Sequence, residues 1–349
     1  MRRRPVGKIS LEQLKKSVFP YTGAHDSSVL LGPEVGEDTA LIDLGPNVLI
    51  LKADPVTGAV ERAGWLSVHV NANDVATRGA EPRWFLPTLI MPTTSTVKTV
   101  EEIMRQIHEA ATELGVAIVG GHTEFIDGID HPIIAGTMAA VIEKDRYVTS
   151  GGARPGDKII LTKGAAIECT VILATDMSEE IRKELGSEIV ERGKAFIQKI
   201  SIVKDALIAV KNGKVTAMHD ATEGGVATAL HEVAEASNIG FMVYEDKIYV
   251  APETNKMCLL FDLDPLQVIS SGALIITATS KTSQKIVDSL NKAGIKAEII
   301  GEATDKNKGR SIVKRDGSIV NLPLPEQDQL WKLSDAITAK ARMSKRTKT

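Results

Sequence analysis

Cysteine is scarce in this sequence. The 349 residues contain only two, Cys169 and Cys258, which lie far apart and form no Cys-x-x-Cys or Cys/His pattern. Such a chain has neither a disulfide framework nor the ligand spacing of a structural zinc site. We therefore expect both thiols to behave as small hydrophobic side chains of the core.

Long apolar runs and an excess of either charge are also missing. No stretch approaches the length that spans a bilayer, and no apolar segment follows the basic residues 1–5, so we expect a cytoplasmic protein without a membrane partner. The formal net charge of −3 gives no overall field that would collect nucleic acid. The basic residues from Lys340 to Lys348 are typical of a solvated chain end, which makes a nucleic-acid partner the least favoured interpretation. The expected partner is a small molecule.

The length and composition indicate a globular protein of two domains. A chain of 349 residues with 43% hydrophobic and 25% charged residues can bury two separate cores. A glycine-rich junction at residues 150–157 precedes a new apolar run. We therefore predict a first domain over residues 1–150, a second domain over residues 151–325, and a C-terminal helix with a basic tail over residues 326–349.

Hydrophobic periodicity predicts a mixed architecture. In the first domain we expect strands at 39–44, 48–53, 84–91, 116–119 and 133–142, and helices at 11–18, 62–77 and 97–114. In the second domain we expect strands at 158–161, 215–218, 241–244, 273–277 and 297–300, and helices at 167–174, 179–210 with a break, 225–236, 254–261 and 284–293. Few neighbouring strand–helix–strand units are regular enough for a parallel sheet. The expected fold class is therefore α+β for both domains.

Four aspartates stand beside turns or at the ends of apolar runs: Asp38, Asp54, Asp74 and Asp220. Carboxylates at the ends of elements suit hard cations such as Mg²⁺, because their oxygens can converge without breaking backbone pairing. Each of them could instead cap a helix or a turn. The residues alone leave both interpretations open.

Two glycine-containing segments follow predicted strands. Residues 220–225 read Asp-Ala-Thr-Glu-Gly-Gly between a strand and a helix, and a helix start of this kind offers bare amides to a phosphate. The alternative is that Asp220 or Thr222 caps the helix and that the glycines allow close packing. Residues 120–124, Gly-Gly-His-Thr-Glu, form a second predicted loop, in which small residues likewise let a ligand approach the backbone beside polar groups. There is no Walker A or dinucleotide fingerprint, so a nucleotide would need a different scaffold.

In this order, these segments resemble the aminoimidazole ribonucleotide synthetase-like superfamily, whose members include the hydrogenase maturation factor HypE, thiamine monophosphate kinase and selenophosphate synthetase. The resemblance spans roughly residues 36–277. Its most specific stretch, residues 218–240 with Leu-Asp-Pro-Leu at 263–266, is most similar to the second domain of HypE. The Gly-Ala-Arg-Pro-Gly-Asp sequence at 152–157 resembles the superfamily's domain junction.

The resemblance implies two α+β domains, a homodimer whose first domains join their strands into a β-barrel, and ATP bound with magnesium. It implies that the phosphates are held through Mg²⁺ by Asp38, Asp54, Asp74 and Asp220, with the assistance of Asn73. The nucleotide would be enclosed by the two glycine segments, at Gly120, Gly121, His122, Thr123 and Glu124 and at Thr222, Gly224 and Gly225. For the dimer, we expect the apolar strands 48–53 and 133–142 of the first domain to supply most of the interface.

Two positions depart from the superfamily's pattern. His122 stands where relatives commonly carry an acidic residue, and a neutral imidazole is a poor ligand of Mg²⁺. HypE works through a C-terminal cysteine, whereas residues 346–349 of this chain read Arg-Thr-Lys-Thr. We therefore expect a HypE-like ATP-dependent enzyme that phosphorylates or activates a small-molecule acceptor without a terminal thiol. The alternative is a nucleotide-binding assembly factor without turnover that serves a partner in hydrogenase maturation. The sequence singles out no catalytic residue.

Overall fold

The computed structural model describes residues 7, 9, 11–57 and 62–333, and these form two compact units. The N-terminal unit is Thr22–Thr149, and the C-terminal unit contains the described residues before and after it. The first helix, α1 (Leu11–Ser17), belongs to the C-terminal unit, where the charge of Lys15 acts on Glu235. This differs from the expectation that the first domain begins at residue 1, because contacts between residues so far apart leave no local signal in the sequence.

The N-terminal unit is a mixed sheet with two helices packed together. Its strands are β1 (Val29–Leu31), β2 (Ala40–Asp43), β3 (Asn47–Val56), β4 (Trp84–Pro92), β5 (Ala117–Ile118), β6 (His122–Ile126) and β7 (Ile133–Glu143), and its helices are α2 (Ala63–Ala76) and α3 (Val97–Leu114). The sheet order is β1-β2-β3-β7-β4-β5, with β6 also paired to β4. The long antiparallel pair of β3 and β7 therefore lies in the middle of the sheet.

Local sequence accounts for α3, whereas tertiary packing accounts for α2. The side chain of Thr96 accepts the Thr99 amide at the start of α3, and Gly115, with φ of 69°, ends it. Helix α2 packs on β3 and β7 and is buried over almost its whole length. Gly136 of β7 permits this approach, because a Cβ at that position would lie 2.6 Å from Nδ2 of Asn71.

The C-terminal unit is a second seven-stranded sheet with helices between its strands. Its strands are β8 (Lys158–Thr162), β9 (Val215–Ala221), β10 (Gly240–Tyr244), β11 (Ala273–Ala278), β12 (Ala297–Thr304), β13 (Arg310–Val313) and β14 (Ile319–Asn321). Its further helices are α4 (Ile167–Asp176), α5 (Ser178–Leu185), α6 (Ser187–Lys194), α7 (Val203–Asn212), α8 (Gly225–Ala236), α9 (Pro252–Leu260) and α10 (Ser280–Lys292). The strand order is β14-β13-β10-β12-β8-β11-β9, and all neighbours are antiparallel except β10 and β13.

Both cysteines lie in a hydrophobic cluster formed mainly by α4, α6 and α9. Cys169 and Cys258 are buried and free, and they pack with Leu173, Val190 and Met257. The contact with Cys258 and the burial of the site raise the pKa of the Cys169 thiol well above its ordinary value. The expectation that the cysteines are core side chains is confirmed, and the raised pKa of Cys169 is the opposite of what a reactive thiol requires.

The expected α+β class is confirmed, with differences at particular elements. Residues 120–124 do not form the predicted loop, since β6 begins at His122 and runs parallel to β4. Strands β1, β13 and β14 were not expected, because each has only three or four residues. The described part of the predicted C-terminal helix and tail contains a 3₁₀ helix at Gln329–Leu333, and the predicted helix and basic tail beyond residue 333 lie outside the described residues.

Among the residues that the structure describes, no helix is both long enough and apolar enough to cross a bilayer.

Candidate functional site

Three of the four predicted aspartates lie in the N-terminal unit. Asp38 precedes β2 and is half-buried, Asp54 lies within β3, and Asp74 is buried near the end of α2. Asp54 is not at the end of its strand as expected, because β3 continues through Val56. All three nevertheless act on the same side chain, that of Lys52.

Lys52 is the central cation of this group and was not expected from the sequence. Its Nζ lies 2.9 Å from Oδ2 of Asp74 and 3.9 Å from Oδ2 of Asp54. Burial alone would lower the pKa of Lys52, but the negative charges of Asp74, Asp38 and Asp54 outweigh it and raise that pKa above its ordinary value. Lys52 is therefore a fixed positive charge among three carboxylates. The available signal was its position two residues before Asp54, since alternate residues of a strand share a face.

Asn71 connects α2 to the strand that carries Asp54. Its side-chain amide donates to the carbonyl of Asp54 at 3.1 Å and to the carbonyl of Ser67 at 2.8 Å. Asn71 is three residues from Asp74 and so shares a face of α2 with it. Asn73, the residue implied by the resemblance, directly precedes Asp74 and is fully buried. Its assisting role remains a prediction, while Asn71 has a visible positioning contact.

A second buried ion pair supports the turn that carries Asp38. Nη1 of Arg78 donates to Oε2 of Glu37 at 2.6 Å, and the side chains of both residues are almost completely buried. Arg78 follows α2, whereas Glu37 immediately precedes Asp38. The end of α2 is thereby linked to the segment in front of β2, which fixes the backbone next to one carboxylate of the group.

The segment from Gly120 to Glu124 has a different geometry from the predicted enclosing loop. Gly121 has φ of 148°, and a Cβ there would lie 2.4 Å from the carbonyl oxygen of Pro87. His122 and Glu124 stand on one face of β6, with 3.7 Å between Nε2 and Oε2, and both side chains are largely exposed. Glycine is thus required at position 121 for close pairing with β4. Contact of this segment with a nucleotide remains a prediction.

The fourth aspartate, Asp220, belongs to the C-terminal unit. It is buried near the end of β9, next to His219, whose Nε2 lies 2.8 Å from Oε2 of Glu232 on α8. Helix α8 starts at Gly225 as expected, and the amide of Gly225 donates to the carbonyl of Thr222 at 3.0 Å. This hydrogen bond closes the turn between the strand and the helix.

The amides at the start of α8 are not bare, in contrast to the prediction. The amide of Gly224 donates to Oδ2 of Asp328 at 2.7 Å, and the other carboxylate oxygen of Asp328 accepts the amide of Leu330 at 2.8 Å. Burial raises the pKa of Asp328 to about 6, against the opposing effect of these two hydrogen bonds. A carboxylate from 104 residues away thus accepts one of the amides that were expected to face a phosphate.

The two glycines of this turn serve packing. Gly224 and Gly225 have φ of 76° and 66°, a region that favours glycine. A Cβ at Gly225 would lie 2.4 Å from the carbonyl oxygen of Val268, and one at Gly224 would lie 2.1 Å from Oγ1 of Thr228. These contacts agree with the alternative in which the glycines allow close packing.

Family models match both halves of the chain. The N-terminal domain of AIR synthase related proteins matches residues 36–142, and the C-terminal domain of the same family matches residues 154–314. A protein of Methanocaldococcus jannaschii that is named for hydrogenase expression and formation is 28% identical over 328 residues, which cover 91% of this chain and 95% of that protein. Carbamoyl dehydratase HypE of Cupriavidus necator is 29% identical over 252 residues, which cover 70% of this chain and 68% of that protein.

Solved structures share the fold. HypE in a complex with HypF has a TM-score of 0.74 at 23% identity, covering 89% of this chain and 99% of that chain. HypE in complex with ATP has a TM-score of 0.70 at 24% identity, covering 86% of this chain and 92% of that chain. With both domain models matched in order, the chain belongs to the AIR synthase related protein family and is similar to HypE, as its motifs indicated.

Proposed function

We propose that this protein is an ATP-dependent enzyme that uses Mg-ATP to phosphorylate or activate a small-molecule acceptor. The observation that carries the proposal is the convergence of Asp38, Asp54 and Asp74 on one cation within the N-terminal unit. Phosphoryl transfer is catalysed mainly by positioning and by neutralising charge, which carboxylates with bound metal achieve. Support comes from relatives named carbamoyl dehydratase HypE and from similar structures of HypE with ATP and of thiamine monophosphate kinase with an ATP analogue.

The donor set fits magnesium. Mg²⁺ prefers carboxylate oxygens and keeps several waters, so two or three aspartates and the phosphates of the nucleotide suffice. In the proposed site, Asp38, Asp54 and Asp74 would hold Mg²⁺, and Asp220 would do the same in the C-terminal unit. When bound, the metal would neutralise charge on the transferring phosphoryl group. The chain's own contribution is orientation, with Asn71 fixing the backbone at Asp54.

The proposed site keeps the nucleotide contacts that the resemblance implies, except those at Gly224 and Gly225. Asn73 and the segment from Gly120 to Glu124 are retained as candidate contacts of the N-terminal unit. In the C-terminal unit the amides of Gly224 and Gly225 are engaged within the chain, so Thr222 is the remaining candidate of that turn.

Magnesium-dependent ATP binding tests the proposal. Asp54→Ala and Asp74→Ala should each weaken the affinity for Mg-ATP by tenfold or more, about 1.4 kcal/mol. Asp43→Ala is the matched control, because Asp43 pairs with Lys144 at the surface of the same unit. Isothermal titration calorimetry on folded variants gives the comparison. Unchanged affinity in both Asp54 and Asp74 variants would contradict the assignment.

Turnover separates the enzyme from the alternative, a nucleotide-binding assembly factor. The similar structure of HypE in complex with HypF supports a maturation partner for this chain as well. ATP consumption that rises with one member of a panel of small-molecule acceptors is the result expected of the enzyme. Binding of ATP without consumption under any of these conditions would favour the assembly factor.

We also propose a homodimer formed through the N-terminal unit, with a different edge from the one predicted. Strands β3 and β7 pair with each other inside the sheet, so neither of them presents an exposed edge. Exposed apolar side chains instead occur around β4 to β6, at Leu86, Val119 and Phe125. A second copy joined along this side would cover them.

The oligomeric state tests this second proposal. Phe125→Asp should shift the mass measured by sedimentation equilibrium from dimer toward monomer. Leu259→Asp is the control, because Leu259 is also exposed and apolar but lies on α9 of the C-terminal unit. A monomeric wild-type protein at micromolar concentration would overturn the dimer, and a dimer lost only in the Leu259 variant would overturn the interface.

A further inference from the structure

Lys52 places a positive charge among carboxylates that would bind a metal ion, which is unusual for a metal site. Its ammonium makes a 2.9 Å ion pair with Asp74 and lies 3.9 Å from Asp54, and the negative charge of Asp38 also acts on it. The side chains of Lys52 and Asp74 are 13% and 5% exposed, so solvent screens this pair weakly. The group therefore contains one positive charge for three negative charges before any ligand arrives.

A divalent cation would have to share these carboxylates with the ammonium. Two cations at the same oxygens repel each other, and the repulsion is strong where water is excluded. Direct coordination of Asp74 would also require its contact with Lys52 to be loosened. The lysine thus lowers the affinity of the group for a free divalent ion while its charge reduces the repulsion among the three carboxylates.

We propose that Lys52 is a resident cation of the carboxylate group that takes the place of one divalent ion. The group is then preformed without metal, and the N-terminal unit needs one fewer divalent ion for the phosphates of ATP than a group of three aspartates without the lysine. This inference rests on the proposed function, because it assigns Asp38, Asp54 and Asp74 to the same Mg-ATP site.

Metal binding without nucleotide tests the role of Lys52. The probe is Mn²⁺, which can replace Mg²⁺ at oxygen ligands and whose free fraction is counted by electron paramagnetic resonance. Lys52→Met should bind Mn²⁺ at least tenfold more tightly than the wild-type protein or bind one additional ion. Lys52→Arg, which keeps the charge, should behave as the wild type. Lys144→Met is the control, since Lys144 pairs with Asp43 at the surface of the same unit.

Thermal stability provides an independent measurement. Without metal, Lys52→Met should melt at a lower temperature than the wild type, and Mn²⁺ should raise its melting temperature by more than it raises that of the wild type. If Lys52→Met does not fold, Lys52→Gln carries the same test, because its amide can still donate to Asp74. Equal or weaker Mn²⁺ binding in the folded neutral variant would overturn the proposal, as would tighter binding in Lys52→Arg.

The outcome is distinguishable from failure of the proposed function. If the wild-type protein binds Mg-ATP and the Lys52 variants bind Mn²⁺ no differently from it, only the role of Lys52 is wrong. If the wild type binds no Mg-ATP, the proposed function is wrong, whereas a gain of Mn²⁺ binding in Lys52→Met would still establish Lys52 as the cation of the carboxylate group.

Discussion

The buried ion pair between Arg78 and Glu37 is the contact whose loss we expect to be most damaging in the N-terminal unit. The guanidinium is completely buried, the carboxylate is 5% exposed, and 2.6 Å separates Nη1 from Oε2. The two residues are 41 positions apart, so the pair closes a long connection between α2 and the segment before β2. Arg78→Met keeps much of the side-chain volume and removes the charge.

The expected cost follows from the burial of both partners. Removing one partner of a buried pair leaves the other charge without compensation and typically costs about 3–5 kcal/mol of unfolding free energy. In the double variant Glu37→Gln/Arg78→Met no charge is left behind. The double variant should therefore be more stable than Arg78→Met alone, with a coupling energy of about 1 kcal/mol or more.

Tryptophan fluorescence during urea unfolding measures this cost in the correct unit. Trp65 and Trp84 lie in the N-terminal unit and Trp331 in the C-terminal unit, so a Trp331→Phe background reports on the first unit alone. Arg105→Met serves as the control, because Arg105 forms its ion pairs with Glu102 and Glu109 at the surface of α3.

Two results would refute the reasoning. One is an Arg78→Met variant as stable as the Arg105→Met control, which would mean that the pair contributes nothing to the folded state. The other is a double variant no more stable than Arg78→Met, which would mean that the loss comes from packing and not from an uncompensated carboxylate at Glu37.

Three further outcomes follow from the C-terminal unit. The pKa of Asp328 is raised from 3.8 to about 6, so its contribution to stability is greatest below pH 3.8 and is lost as the pH rises through about 6. Asp328→Asn should flatten this fall of the unfolding free energy with pH, as measured by urea unfolding at several pH values. An unchanged pH dependence would contradict this. Gly225→Ala should lower the unfolding free energy by about 2 kcal/mol, as measured by thermal denaturation. The loss should exceed that of Gly186→Ala, because Gly186 also has a positive φ but a Cβ there would meet open space. Cys169 and Cys258 should resist alkylation in the native protein and react only in denaturant, as read by intact mass.

Where local chemistry determines an element, the sequence predicts it well. The bounds of α3 follow from the cap at Thr96 and the glycine at 115, and α8 begins where Gly225 ends the preceding turn. The same rules miss β6, because its residues are mostly exposed and show no apolar alternation. Its strand conformation comes from pairing with β4, which is a tertiary cause.

The candidate site also contains features that the sequence predicts and features that it does not. The sequence identifies acidic residues by type and by their neighbourhood, and it identifies the family through the stretch around Asp220. It cannot show that Asn71 reaches the carbonyl of Asp54 or that Asp328 reaches the amide of Gly224, since such partners are fixed only by the folded backbone. A polar residue distant in sequence carries no local mark of the group that it will meet.

In each unit, the chain itself supplies the counter-charge that was expected from a ligand. Lys52 provides the cation among carboxylates assigned to magnesium, and Asp328 provides the anion at a helix start assigned to phosphate. Such internal partners keep the buried polar groups satisfied before a ligand arrives. A ligand that uses the same groups must displace or share these partners, so the free energy of each internal contact is subtracted from the affinity for the ligand. The expected tightening of Mn²⁺ binding after removal of the Lys52 charge is the direct consequence of this subtraction.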